Sequence, residues 1–333
     1  MCKTVITIDN FPEDKTSELK SLAWDSILKA ETENTSDIRT KSRSIERTDL
    51  ACFIYTSGTG GNPKGVMLTH GSILANCFSA FDLLTDFGLG DEIFLSLLPL
   101  SHSYEHTCGL YFPISIGAQI YYAEGPDKVA QNLLEARPTI MTAVPRLYES
   151  LYDRIKKGVE RTGGVRAKLF FKAVELGKKS QSPNYKMSWV ENLKNRSLNH
   201  LVRKEVKEKF GGRLKTFVSG GAALNPEIGD FFLSLGINIL QGYGQTEASP
   251  VISCNRPGNI RIETVGPALA GVEIKIAEDG EILVRGELVM DGYWRDKEAT
   301  REAIIDGWLH TGDIGMIQKL SLIHISEPTR RRG

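Results

Sequence analysis

The sequence predicts an α/β fold with a largely parallel sheet, and three observations predict it. Short apolar runs recur along the chain, helix-type segments lie between several of them, and the texture changes to strict alternation beyond residue 262. The runs are ACFIY (51–55), IFLSLL (93–98), AQIYYA (118–123), TIMTAV (139–144), LKTFVS (214–219) and INILQG (237–242), each read as a buried strand. RLYESLYDRIKKGV follows Pro145, and PEIGDFFLSLG carries Pro226 near its start and Gly236 at its end, the boundaries a helix prefers. In GVEIKIAEDGEILVRGELVMDGYW apolar and polar residues alternate around Asp279-Gly280, a hairpin turn, which predicts a small antiparallel subdomain.

Other stretches are weaker in signal. Residues 31–48 are polar and unpatterned, and read as a surface loop. TCGLYFPISIGAQIYYA is nearly apolar but broken by Pro113 and two glycines, so it reads as a buried strand pair joined by a turn rather than a membrane span. These readings divide the chain into 1–261, an α/β region, 262–318, a β-rich subdomain, and 319–333, a tail.

Composition excludes several function classes. The 333 residues hold 41 Lys+Arg and 41 Asp+Glu, so no net field points to nucleic acid. Within 154–209, however, sixteen Lys/Arg face five glutamates. That tract reads as a solvated helical surface, or as one that attracts anionic lipid, CoA or an acyl carrier. The five cysteines are scattered without a C-x-x-C, which argues against a disulfide scaffold or structural zinc and fits a reducing cytosol. MCKTVITIDN lacks the apolar core of a signal peptide, so a cytoplasmic location is expected, with peripheral membrane contact as an addition.

The strongest chemical signal is CFIYTSGTGGNPKGVMLTH, residues 52–70. It predicts a strand ending at Tyr55, a loop over 56–65 and a helix through GSILANCFSAF. Gly58, Gly60, Gly61 and Gly65 permit close backbone approach, Thr56, Ser57 and Thr59 add hydroxyl donors, and Lys64 adds charge. Together these suit a polyphosphate. The loop is neither a Walker A nor G-x-G-x-x-G, because Lys64 is followed by Gly65 and no glycine register fits. A second pattern, HSYEH (102–106), fits H-x-x-E-H, so a zinc hydrolase using His102, Glu105 and His106 is an alternative.

YTSGTGGNPKGVMLTH resembles the phosphate-binding signature of the adenylate-forming superfamily, the acyl-CoA synthetase and luciferase type of enzyme. That signature usually has Thr-Thr-Gly where this chain has Thr59-Gly60-Gly61. LPLSHSYE (98–105) is similar to the family's aromatic/histidine motif at the acyl pocket, VSGGAAL (218–224) to its adenine-binding turn, and GYGQTEASPVIS (242–253) to its Tyr-Gly-x-Thr-Glu motif. GELVMDGYW and GWLHTGDIG (307–315) resemble the later motifs ending in a ribose-binding aspartate. VPRLYESLYDRI and GDFFLSLGINILQGYGQTEASPVI look most like the long-chain fatty acid ligases.

The resemblance implies the N-terminal domain of an adenylate-forming enzyme, mixed and parallel sheets flanked by helices. It implies ATP-dependent activation of a long-chain fatty acid to acyl-AMP and transfer to CoA, with ATP, Mg²⁺ and coenzyme A as cofactors and no obligate protein partner. By the same resemblance, Thr59, Lys64, His102, Thr246 and Glu247 are catalytic, with Glu247 on magnesium. Thr56 to Gly61, Lys64, Gly220, Gly221, Ala222, Gly242, Tyr243, Gly244, Thr246 and Asp313 would surround ATP or AMP. His102, Ser103, Tyr104 and Gly221 would form the acyl pocket. Plainer roles stand beside these: core packing for Tyr243, a helix-start acid at Glu247, a turn aspartate at Asp313. The resemblance further implies a C-terminal domain with a catalytic lysine, which is expected to be absent from these 333 residues, and LSLIHISEPTRRRG resembles translated adaptor sequence. A fragment that binds ATP or acyl groups without turnover is therefore also expected.

Overall fold

The computed structural model describes residues 4–7, 20–29, 35–56, 62–182, 185–318 and 323–325. The chain divides into two compact units, Met1–Glu46 and Arg47–Gly333. In the first, strands Thr4–Thr7 and Lys20–Ala23 pair in parallel, followed by helices Trp24–Leu28 and Thr35–Arg43. The last helix corrects the loop expected over 31–48, of which residues 31–34 lie outside the described residues. Charge placement rather than apolar periodicity supports it: Asp37 sits in the first turn, Lys41 and Arg43 in the last, and Lys41 pairs with Asp37 at 2.8 Å.

The second unit is organised by a six-stranded sheet. Its order runs Val251–Cys254, Asn238–Gly244, Thr216–Ser219, Ile140–Ala143, Ile93–Ser96, Gln119–Tyr122, all parallel except the first, which is antiparallel to its neighbour. Both faces are covered, which is why the central strands read as unbroken apolar runs. Leu95, Met141, Phe217 and Ile239 face one core with Tyr148, Phe170 and Phe232 from helices Pro145–Thr162, Gly164–Gln181 and Pro226–Ser234. Phe94, Ile140 and Leu240 face the other with Ile73, Cys77 and Leu84 of helix His70–Thr85.

One cation of the basic tract is structural. Arg203 is buried and donates to the carbonyls of Ala173 and Ser234, each at 2.7 Å, so it ties three helical segments together.

Three expectations change here. The run 51–55 is not in the parallel sheet: Leu50–Thr56 pairs antiparallel with Lys64–Thr69, which also pairs with Gly292–Tyr293. The glycine-rich loop therefore joins a hairpin, and the helix starts only at His70, capped by Thr69 and Ser72. KGVMLT alternates well enough to pair, with Val66 and Leu68 fully buried, while Phe53 and Tyr55 stay exposed. Residues 106–115 are helical rather than a strand, in a π-helical turn followed by Phe112–Ser115. Gly117, at φ +70°, then turns the chain into Gln119–Tyr122, an edge strand that leaves Tyr121 and Tyr122 exposed.

A separate antiparallel sheet contains Glu273–Ile276, Glu281–Arg285, Trp308–Ile317 and Ile304–Ile305, with Ile323–Ile325 paired to Trp308–Ile317. Gly280, at φ +87°, makes the turn between the first two strands. Among the described residues no helix is long and apolar enough to cross a membrane.

Candidate active site

A cleft of about 540 Å³ opens at the carboxyl ends of the parallel strands, where the chain leaves Ser219 and Gly244, and the antiparallel sheet closes its far side. Loops at that end of an open parallel sheet are where α/β folds hold ligands. Thr56, Lys64, His102, Ser103, Tyr104, Gly220, Gly221, Gly242, Tyr243, Gly244, Thr246, Glu247 and Asp313 all line it. Ala222 does not line it and is exposed. Ser57, Gly58, Thr59, Gly60 and Gly61 lie outside the described residues.

The turn after Thr216–Ser219 is shaped by an aromatic ring. Tyr104 donates its hydroxyl to the Val218 carbonyl at 2.8 Å, and Tyr148 donates to the same oxygen at 2.9 Å. A Cβ on Gly220 would stand 3.1–3.3 Å from the Tyr104 ring, so only glycine fits there without displacing it. Gly221, at φ +82°, reverses the chain, and the Leu224 N–H donates to the buried Gln241 side chain at 2.7 Å to hold the turn.

Three polar pairs face the cleft. The Tyr243 hydroxyl donates to Asp313 Oδ2 at 2.7 Å, and the Tyr293 hydroxyl donates to Glu247 Oε1 at 2.8 Å. Ser103 Oγ and Thr246 Oγ1 share a hydrogen bond of 2.9 Å. Lys64 Nζ lies 4.9 Å from the centre of the Tyr293 ring, so a cation, an aromatic face and a carboxylate follow one another. Burial, reinforced by the neighbouring carboxylates, pushes both phenols well above the usual tyrosine range, which keeps them protonated donors. Burial also raises the Asp313 carboxyl; the Tyr243 hydrogen bond opposes that and nearby Glu281 adds to it.

His102 enters the cleft while its Nδ1 accepts from the Tyr104 N–H at 3.2 Å, capping the short helix Ser103–Glu105. The zinc alternative fails at its centre. Glu105 is fully buried, and its two carboxylate oxygens accept from Ser96 Oγ at 2.6 Å and Thr142 Oγ1 at 2.9 Å. His106 packs edge-on against Tyr111 outside the cleft lining. Among the described residues no cluster of three His, Cys, Asp or Glu could hold a metal.

Sequence reasoning passed over three residues. Tyr293 orients Glu247, and buried Glu281 accepts from the Gly312 N–H at 2.8 Å while meeting His310 Nδ1 at 2.7 Å. No spacing signal marks them, because each partner pair is separated by 29 residues or more. The alternation over 271–294 marks the strand of Glu281 but does not reach the 310–313 segment that it meets.

Comparison with known proteins gives a consistent picture. The profile of the AMP-binding enzyme family matches residues 2–294. Long chain acyl-CoA synthetase 7, peroxisomal, of Arabidopsis thaliana is 37% identical over 291 residues, 80% of this chain and 39% of that protein. The human long-chain-fatty-acid–CoA ligase ACSBG2 is 34% identical over 295 residues, 85% of this chain and 44% of that protein. The chain thus spans under half the length of these relatives. Among solved structures, ATP-bound MatB from Rhodopseudomonas palustris superimposes with a TM-score of 0.66 at 25% identity, over 92% of this chain and 54% of that one. o-Succinylbenzoate CoA synthetase (MenE) from Bacillus subtilis, in complex with the acyl-adenylate intermediate OSB-AMP, gives 0.68 at 20% identity, over 97% and 57%, and so speaks for the fold alone. With this profile match across most of its length and these relatives, the chain belongs to the AMP-binding enzyme family.

Proposed function

We propose that the cleft serves ATP-dependent activation of a long-chain fatty carboxylate to its acyl-adenylate, followed by transfer to CoA. One observation carries the reading: Lys64, Thr246, Glu247, Tyr243 and Asp313, drawn from distant segments, line one cleft at the carboxyl ends of the parallel strands. In the first step a carboxylate oxygen attacks the α-phosphorus, the bond to the bridging oxygen breaks, and pyrophosphate leaves. The CoA thiol then attacks the acyl carbon, losing its proton, and AMP leaves. Neither step needs a protein nucleophile, so the residues act by position and charge.

In this reading Asp313, fixed by Tyr243, accepts from the ribose hydroxyls. Gly220 and Gly221 let the base lie against bare backbone, and the Tyr243 ring offers it an apolar face. Lys64 and the hydroxyls of Thr56 and Thr246 meet the phosphates. The residues also fit magnesium: among the described residues Glu247 Oε2 accepts no hydrogen bond, and carboxylate and hydroxyl oxygens are the donors this hard cation prefers. Magnesium bound there would neutralise phosphate charge. The long-chain preference is supported by the relatives' names. Titration of the chain with Mg·ATP tests the nucleotide reading: measurable binding that weakens about tenfold in Lys64→Ala supports it. Heat indistinguishable from dilution, or equal affinity in the variant, refutes it.

A further inference from the structure

A second cavity, of about 640 Å³, lies within the helical layer and shares no lining residue with the cleft. Its size falls within the roughly 300–1,000 Å³ typical of small-molecule sites. Its floor is apolar and buried, formed by Leu133, Phe170, Val206 and Phe210. Its rim is charged: Arg154, Arg166 and Lys209 stand there against one carboxylate, Glu205. Among the described residues none of these three cations has a hydrogen bond or ion pair, in contrast to Arg203 of the same tract.

The wall also contains Gly158, in the interior of helix Pro145–Thr162. Glycine there costs about 1 kcal/mol relative to alanine. No packing contact requires it, since a Cβ at 158 would meet nothing within 4 Å. The glycine keeps the space open. An apolar chamber ringed by unpaired cations matches one chemistry, a hydrocarbon chain ending in an anion.

We propose that this cavity binds a single-chain anionic amphiphile, with its chain on Leu133, Phe170, Val206 and Phe210 and its head at Arg154, Arg166 and Lys209. The site stands apart from the cleft and does not depend on the nucleotide reading. Its ligand is a long-chain carboxylate or an alkyl phosphate; the two share the chemistry that recognises them.

The test is photolabelling of the full chain with a diazirine-bearing hexadecanoate, without nucleotide, followed by peptide mapping. Label should appear in peptides from 145–162 and 199–210. Hexadecanoate or hexadecyl phosphate should compete, and whichever does so more strongly identifies the head group. Hexadecan-1-ol and hexadecyltrimethylammonium should compete about tenfold less well. Gly158→Leu fills the chamber and favours the helix, so it should abolish this label with no fall in Tm. Arg154→Glu with Arg166→Glu, both on the surface, should weaken labelling about tenfold. Label confined to cleft peptides, labelling that persists in Gly158→Leu, or equal competition by the cationic amphiphile would overturn the assignment.

Discussion

Replacing Tyr293 with phenylalanine removes one hydroxyl and keeps the ring beneath Lys64. The lost bond is the 2.8 Å donation to Glu247 Oε1, made by a phenol that burial holds in its protonated form. Hydrogen bonds to charged groups contribute about 1.5–3 kcal/mol. Glu247 is only half-buried, and its backbone stays anchored because the Met290 N–H donates to its carbonyl at 2.9 Å, so the lower end applies. About 1.4 kcal/mol is tenfold in affinity, and the expected result is a Mg·ATP dissociation constant about tenfold weaker. The Lys64 contact, worth about 0.5–1 kcal/mol at such sites, should survive in Tyr293→Phe and be lost in Tyr293→Leu, which should bind more weakly still. Isothermal titration of the three proteins measures both steps. If Tyr293→Phe matches the wild type while Glu247→Gln loses affinity, the hydroxyl does not orient the carboxylate and the reasoning is wrong.

Two further predictions use the neighbouring turns. Gly220→Ala places a methyl 3.1–3.3 Å from a Tyr104 ring that is itself tethered, and overpacking should cost about 1–3 kcal/mol; a lower Tm, partly restored by adding Tyr104→Leu, is expected, and an unchanged Tm refutes it. Because the Asp313 carboxyl is raised in the fold, protonation favours the native state: that contribution is full below the ordinary carboxylate range and is lost as pH rises through the raised value. Asp313→Asn keeps an acceptor for Tyr243 and should therefore raise Tm at neutral pH while weakening AMP binding; a lower Tm with intact AMP affinity contradicts this.

How much could be read from the residues depended on where each signal was written. Strands such as 93–96, 140–143 and 216–219 are covered on both faces, so continuous apolar runs marked them well. Lys64–Thr69 was hidden because a lysine and a glycine open it and look like the end of a loop. Helix Thr35–Arg43 was hidden because its support is charge placement, and residues 106–115 because a segment apolar on several sides has no clear period. The resemblance marked Tyr243 and Glu247 in one motif and Asp313 in another. It did not say that Tyr243 would hold Asp313, or that Tyr293 would hold Glu247. Those bonds arise where the hairpin, the parallel sheet and the antiparallel sheet meet, and that meeting is a property of the fold rather than of any window of sequence.

The central claim is that one cleft holds a nucleotide and a long acyl chain together. Titration of the chain with hexadecyl-AMP, a stable mimic of the acyl-adenylate, against AMP alone tests it most directly. The account predicts that hexadecyl-AMP binds about tenfold or more tightly than AMP, that acetyl-sized analogues gain nothing, and that Asp313→Asn weakens both ligands. Equal affinity for AMP and hexadecyl-AMP, or binding of neither, would contradict it.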